Sequence, residues 1–531
     1  MKKSVLALGV AAALGGFAGS ALAITDAAPV VPLVNPATAL TLSPTGTGHI
    51  LIVPYYSAQN GNRTLLSLTN TDNTNGKVVK VRFRGAANSD DVNDFQVFLS
   101  PGDIWTADIH QGPNGVAELT TADASCTKPA NVNGDFGTGR FKSTWDADRK
   151  ASNTREGYIE ILNMADVPPA AALYNAIKHK DGVAACASSS IANGTAGSAA
   201  AWTYLDGNPK QGTGRSTGDL EGASAGLAKP TTGLMANWTI INVPRAVAWS
   251  GAATAVEATD AGGLPANGAI VYFPQVNQAT GGNIAAPIAT AYTADPLLTP
   301  ATPLVTGNAQ FDLPDLSTPY AGAANPSAQA AALSTAISTS AVSNEFWTLE
   351  SIGGATDWVF SMPTRRYAVA VDYTASPSAP EYNSANKTQF DTINTQMDGD
   401  QLCVNGITWN YWNREEATQA GDVTNTTRSP GEEAAPGAMF CGETSVLSIN
   451  DVAAGSAPTK SLGAQVAVTN FNQKGADGKI MQEGWMKITT PGAAVTNLPI
   501  LGSAFMMVQN KNANPGDPGH FNMTFPHRTA R

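Results

Sequence analysis

Charge is scarce in this chain. Asp, Glu, Lys and Arg make up 14% of 531 residues, and acids outnumber bases 42 to 31. A nucleic-acid binder needs a clustered basic footprint, and this balance argues against that class. Histidine is rare: the five are His49, His110, His179, His520 and His527. No two sit at i, i+4, and none falls at zinc-ligand spacing from a cysteine. The four cysteines, Cys126, Cys186, Cys403 and Cys441, include no C-x-x-C pair. After the N-terminal stretch no uncharged apolar run reaches the roughly 18 residues of a spanning helix. The Ala-rich stretch 328–342 is too polar and too short.

What is present begins at the first residue. Met1-Lys2-Lys3 is basic, residues 4–22 carry no charge, and Ala21-Leu22-Ala23 offers a small-x-small exit. This is the layout of a secretory signal peptide, with cleavage expected after Ala23. The expected location is the cell surface or the extracellular space, with the periplasm as the other exported compartment. Oxidising conditions there pair cysteines. Four cysteines allow three pairings, and the sequence separations favour Cys126–Cys186 and Cys403–Cys441. Each bridge stabilises by about 3–4 kcal/mol in the chain-entropy model.

Short alternating segments dominate the rest. Lys80-Val81-Arg82-Phe83-Arg84 is a period-two strand, apolar to one side and cationic to the other. Segments 49–56, 64–69, 94–99, 104–109, 158–162 and 238–243 read as further strands. Asn75-Gly76 and Ser100-Pro101-Gly102-Asp103 supply turns. The second half repeats the pattern at 358–362, 367–373, 407–412, 446–449, 464–470, 484–488 and 504–508. Residues 269–273 are a candidate strand between the halves, and 165–180 and 328–342 are candidate helices. Strands 8–12 residues apart predict a mostly β protein of antiparallel, immunoglobulin-like sandwich units. The expected plan is a signal peptide (1–23), an extended leader (24–45), a sandwich domain with long loop insertions (46–250), an Ala/Thr/Pro/Gly-rich connection with a helix (251–340) and a second β-rich domain (341–531). Roughly ten-residue lipid-facing strands of an outer-membrane barrel do not recur.

Motifs of chemistry are few. Gly222-Ala223-Ser224-Ala225-Gly226 fits G-x-S-x-G, but no strand precedes it as a nucleophile elbow requires. Asp90, Asp91 and Asp94 gather oxygen ligands for a Ca²⁺ ion, without the spacing of a calcium hand; the other reading is a solvated turn. Asp72 with its neighbouring asparagines is a similar group. The richest polar-aromatic cluster is Trp409-Asn410-Tyr411-Trp412-Asn413-Arg414-Glu415-Glu416. Trp409, Tyr411 and Trp412 suit stacking on a sugar ring; the competing reading is a strand with buried aromatics. Adjacent Glu415 and Glu416 do not flank one bond as a glycosidase pair must. Trp105, Trp238, Trp358 and Trp485 sit in strand-like runs and read as core.

Several segments resemble a group of uncharacterised secreted or cell-surface proteins of Gram-negative bacteria. They include Val53-Pro54-Tyr55-Tyr56, Leu99-Ser100-Pro101-Gly102-Asp103-Ile104-Trp105, Arg155-Glu156-Gly157-Tyr158-Ile159-Glu160, Thr356-Asp357-Trp358-Val359 and Phe525-Pro526-His527-Arg528. The resemblance is scattered through both halves and leaves the loops 111–150 and 181–230 uncovered. It implies export and a β-sandwich, and no activity. The functional expectation is an exported, non-enzymatic structural protein of a surface layer, matrix or adhesive coat. Its partners would be further copies of itself or envelope polymers and glycans. The alternatives are a secreted carbohydrate-binding protein and a secreted hydrolase. No catalytic residue and no cofactor is assigned beyond the candidate Ca²⁺.

Overall fold

The alternation read in the sequence becomes, in the computed structural model, four large open sheets, almost wholly antiparallel, whose strands are numbered β1 to β23, and four small sheets of two or three strands. The structure describes residues 37–185, 226–268, 270, 326–373, 375–382, 387–414, 418–421, 440–472, 474, 478–490, 496–510 and 519–531. In the first half the strands are β1 (Ala39–Leu42), β2 (Ile50–Ser57), β3 (Arg63–Asn70), β4 (Gly76–Gly85), β5 (Asp91–Leu99), β6 (Ile104–Gln111), β7 (Ala117–Thr120), β8 (Cys126–Lys128), β9 (Gly134–Asp135), β10 (Glu156–Val167), β11 (Leu234–Asn242), β12 (Val247–Ala252) and β13 (Thr254–Thr259). In the second they are β14 (Ala341–Trp347), β15 (Ala355–Ser361), β16 (Thr408–Trp412), β17 (Thr418–Gly421), β18 (Thr444–Ile449), β19 (Val468–Phe471), β20 (Glu483–Thr489), β21 (Leu501–Asn510), β22 (Gly519–Pro526) and β23 (Arg528–Ala530). Three α-helices are described: α1 (Ala147–Thr154), α2 (Ala172–Ile177) and α3 (Pro326–Ile337).

The first half holds a seven-stranded sheet, β1-β13-β2-β10-β4-β5-β8, and a six-stranded sheet, β12-β11-β3-β6-β7-β9. The second half holds two five-stranded sheets, β17-β16-β20-β14-β23 and β19-β18-β15-β21-β22. Every ladder within these sheets is antiparallel except β18–β19. None closes into a barrel. Turn chemistry places the strands. Pro101 and Gly102 occupy the middle of the β5–β6 turn, where Gly102 takes φ +72°, and Asp103 N–H closes the turn on Ser100 O. Before β4, Asp72 Oδ1 accepts from Thr74 and Asn75 N–H at 2.7 and 3.0 Å, an Asx turn that fixes where the strand begins.

Period two decides which side chains go inward. Leu66 and Leu68 of β3, Trp105 and Ile109 of β6, and Trp238 and Ile240 of β11 are buried between the first two sheets. Phe95 of β5 meets Trp105 at 5.4 Å across that gap. In the second half Phe346, Met486 and Ile488 face Trp358 and its neighbours in the same apolar cluster. Trp358 Nε1 crosses between the sheets to donate to Glu345 O at 2.9 Å. β2 and β10 are buried at every position, because the seven-stranded sheet is covered on both faces. Leu333 and Ile337 of α3 lie on its second face with Leu40, Ile50, Ile52 and Leu162.

The same core runs through both halves. Phe505 of β21 packs against Tyr55, Trp238 and Trp249 of the first half, with ring centroids 6.0, 5.8 and 6.4 Å apart. Trp249 Nε1 donates to Met506 O at 3.1 Å. The described residues form one compact unit, and a Phe→Ala cavity at such a site costs about 3–5 kcal/mol.

Two helix boundaries differ from expectation. Ala165 to Val167 belong to β10, because they pair with Val78, Lys77 and Gly76 of β4. Pro168 and Pro169 then interrupt the chain, so the helix of this region spans only Ala172–Ile177. The later helix ends at Ile337, and Ala341 and Val342 instead pair with Thr489 and Ile488 in β14–β20.

Candidate functional site

The outer face of the β17-β16-β20-β14-β23 sheet carries a stacked pair of tryptophans. Trp412 of β16 stands directly opposite Trp485 of β20. Their rings stack with centroids 4.0 Å apart and planes 11° apart. Trp485 is 42% exposed and Trp412 is half-buried. Gly484 lets the two strands approach: a Cβ there would lie 2.1 Å from Trp412 O. Trp347 of β14, opposite Glu483 and diagonal to Trp485 in the register, is half-buried and packs against the core. Around the pair Asn410, Lys487 and Glu345 are exposed, and Arg414 Nη2 bonds Glu483 Oε1 at 2.8 Å. Among the described residues of this part of the face, two acids and two bases balance.

Of the three aromatics read as ligand-binding, only Trp412 reaches this face. Trp409 and Tyr411 have the opposite parity and are buried, 3% and 7% exposed. Both rings pack edge-on against Phe471, at 3.8 and 6.2 Å. Tyr411 OH donates to Lys474 O at 3.0 Å. Trp485, read as core, lies outside. Its parity carried the signal, since Met486 and Ile488 are the apolar pair that alternates inward.

The cationic side of β4 is not a solvent face. Arg82 and Arg84 are fully buried and share Glu160 of β10, with Nη1 of Arg82 at 3.4 Å and Nε of Arg84 at 3.5 Å from Oε2. Tyr367 OH donates to the other Glu160 oxygen at 3.2 Å. Arg365 Nε lies 2.8 Å from Glu443 Oε2. Asp90, Asp91 and Asp94 belong to this layer. Asp90 Oδ2 accepts from Tyr373 OH at 2.7 Å, Asp91 Oδ2 is 3.4 Å from Arg84 Nη1, and Asp94 pairs with Lys80 Nζ. Burial alone would lift the Asp91 carboxyl, but Arg84, with Arg140 and Arg82 behind it, pulls it below its ordinary range. All three carboxylates are buried and each faces its own cation or hydroxyl, so the turn is not solvated. Among the described residues the one group of three metal-type ligands within reach of a common ion is Asp398, Cys403 and Cys441, and its two sulfurs are bonded to each other.

That disulfide, Cys403–Cys441, joins the paired strands Gln401–Val404 and Phe440–Cys441. Cys126 is disulfide-bonded as well; its expected partner Cys186 lies outside the described residues, as do Ser224, Glu415, Glu416 and most of 269–273. The histidines do not converge. His49 is buried, accepts Ala258 N–H at Nδ1, and is driven by burial, then by Lys77, down to about 3. His110 sits beside Asp108 at 3.3 Å, His179 bonds Ser125 Oγ at 3.2 Å, and His520 lies in β22. His527 stacks on Phe360 with centroids 4.7 Å apart.

No protein-family model, no curated protein and no solved structure matches this chain. The functional reading therefore rests on the geometry.

Proposed function

We propose that the chain is an exported, non-enzymatic protein of the cell surface or extracellular space, built of immunoglobulin-like sandwich units, that holds a saccharide polymer. The contact surface is the outer face of β16, β20 and β14. The observation that carries this reading is the stacked pair of half-buried Trp412 and exposed Trp485. Indole faces and edges pack on the C–H faces of sugar rings while polar neighbours bond the hydroxyls, and Asn410, Lys487 and Glu345 stand ready for that. An open sheet face suits a long chain that enters and leaves freely. Balanced charge suits a ligand with little charge of its own. The signal-peptide layout and the resemblance to secreted surface proteins support the exported setting, and an adhesive or matrix role follows from holding an envelope polymer.

Affinity electrophoresis through gels cast with purified envelope polysaccharide tests this. Wild-type protein is expected to be retarded. Trp485→Ala and Trp412→Ala are expected to lose most of the retardation, and Trp409→Phe, on the inner face, to keep it. Equal migration of wild type and Trp485→Ala in every polysaccharide gel contradicts the proposal.

A further inference from the structure

The seven-stranded sheet holds a second buried charge group at the end of β4 and β10 away from Arg84. Lys77 lies near the start of β4 and Asp166 near the end of β10, and the register sets them directly across from each other. Lys77 Nζ is 2.9 Å from Asp166 Oδ1, and both side chains are buried. Asp72 Oδ2 lies 3.7 Å from the same Nζ. Asp166 Oδ2 accepts the backbone N–H of Thr231 at 3.1 Å and also its hydroxyl. Asn163 Nδ2 donates to Oδ1 at 3.1 Å.

A buried ion pair is weak evidence of stabilisation, because desolvating two charges offsets most of their attraction. This group has more than a pair needs. It contains an amine, a carboxyl carbon beside it, two donors on the oxygen where charge would develop, and a second carboxylate to move protons.

We propose that Lys77 and Asp166 join in an intramolecular amide. Proton transfer from the ammonium to the Asp166 carboxylate gives a neutral amine and a carboxylic acid. The Nζ lone pair attacks Cγ and the C–N bond forms. Negative charge on Oδ2 is held by the two Thr231 donors. Asp72 accepts the proton released from Nζ and returns it to the departing Oδ1 hydroxyl. The Cγ–Oδ1 bond breaks and one water leaves. Nothing is oxidised or reduced and no co-reactant is consumed. The product replaces two buried charges with one neutral amide whose oxygen keeps its Thr231 partners. Burial lifts the Asp166 carboxyl above its ordinary range, against the pull of Lys77 and Thr231, which favours the acid form that can lose hydroxyl as water. The bond would tie the adjacent strands β4 and β10 covalently, across 89 residues of sequence.

The intact mass of the folded, purified chain after reduction and alkylation tests the proposal. Wild type is expected to be lighter than its sequence by one water. A tryptic digest is expected to leave the chain uncut after Lys77, with that peptide joined to the one containing Asp166. Lys77→Met, Asp166→Ala and Asp72→Asn are expected at full mass. Wild type at full sequence mass overturns the bond whatever the variants do. A water loss mapping elsewhere overturns it too. Loss of one ammonia, joining Lys77 to Asn163, overturns Asp166 as the acceptor.

Discussion

Glu156 of β10 reaches out of the first half to the backbone of Gln465 in the second, its Oε1 accepting that N–H at 2.8 Å. Val466 N–H reaches the same oxygen at 3.3 Å, and Tyr55 OH donates to Oε2 at 3.1 Å. The carboxyl is fully buried, and burial pushes it up to about 7 against those hydrogen bonds.

This carboxyl makes the contact between the halves sensitive to pH. The folded value lies above the ordinary 4.5, so the folded chain holds this proton more tightly than the unfolded chain. Its contribution is fully present below pH 4.5 and is lost as pH rises through about 7. Glu156→Gln, which cannot ionise, is therefore expected to gain on wild type between pH 5 and pH 8, by on the order of 3 kcal/mol. Urea unfolding of both proteins at the two pH values measures the difference. A gap that stays constant with pH contradicts the prediction.

His527 behaves in the opposite sense. It lies where the chain leaves β22 for β23. Its Nε2–H donates to Val359 O at 3.0 Å and Nδ1 accepts from Asn344 Nδ2 at 3.0 Å. Burial drives it down to about 3. A neutral, half-buried imidazole stabilises fully above pH 6.5, and that contribution declines as pH falls toward 3. His527→Ala is expected to lose about 2–4 kcal/mol at pH 7, through a cavity and two lost bonds, and less at pH 4. Thermal melts at both pH values check this.

Asp400 clamps α1 to the second half. Its carboxylate accepts from Lys142 Nζ at 2.8 Å, Trp145 Nε1 at 2.7 Å and Ser378 Oγ at 2.8 Å, with Arg149 at 3.1 Å. Burial would raise it, but these donors hold it down at about 2. Asp400→Ala is expected to cost about 1.5–3 kcal/mol at neutral pH. The wild-type advantage should persist down to pH 4 and vanish as pH falls through about 2. Loss of the advantage already at pH 5 contradicts the clamp.

The Cys403–Cys441 bridge spans 38 positions. Removing it with Cys403→Ser and Cys441→Ser together is expected to cost about 3–4 kcal/mol, mostly by freeing the unfolded chain. Denaturant titration of wild type and the double variant reads this directly, and an unchanged midpoint contradicts it.

Much of the β architecture was legible because period two is a local property. Lys80 to Arg84 announce a strand, and Pro101-Gly102 announces the turn before β6. What covers the strand was not legible. Arg82 and Arg84 read as the cationic side of a strand, and nothing local told that Glu160 and Tyr367, far away in sequence, close over it. The same distance hid the partners of Asp90, Asp91 and Asp94. In the candidate site Trp412 stood out among its polar neighbours, while Trp409 and Tyr411 shared its composition but not its parity. Trp485 lay in a strand-like run and was read with the core tryptophans although its parity points outward, and pairing with β16 is what makes it one half of a platform. The pairing Cys403–Cys441 was legible from sequence separation alone.

Whether the tryptophan platform holds saccharide is decided by a glycan array probed with wild-type protein and with the Trp412→Ala, Trp485→Ala double variant. Wild type is expected to bind long-chain saccharides of low charge, with affinity falling about tenfold or more in the double variant, a loss of at least about 1.4 kcal/mol. A blank array for folded wild type, or equal binding by both proteins, would contradict it.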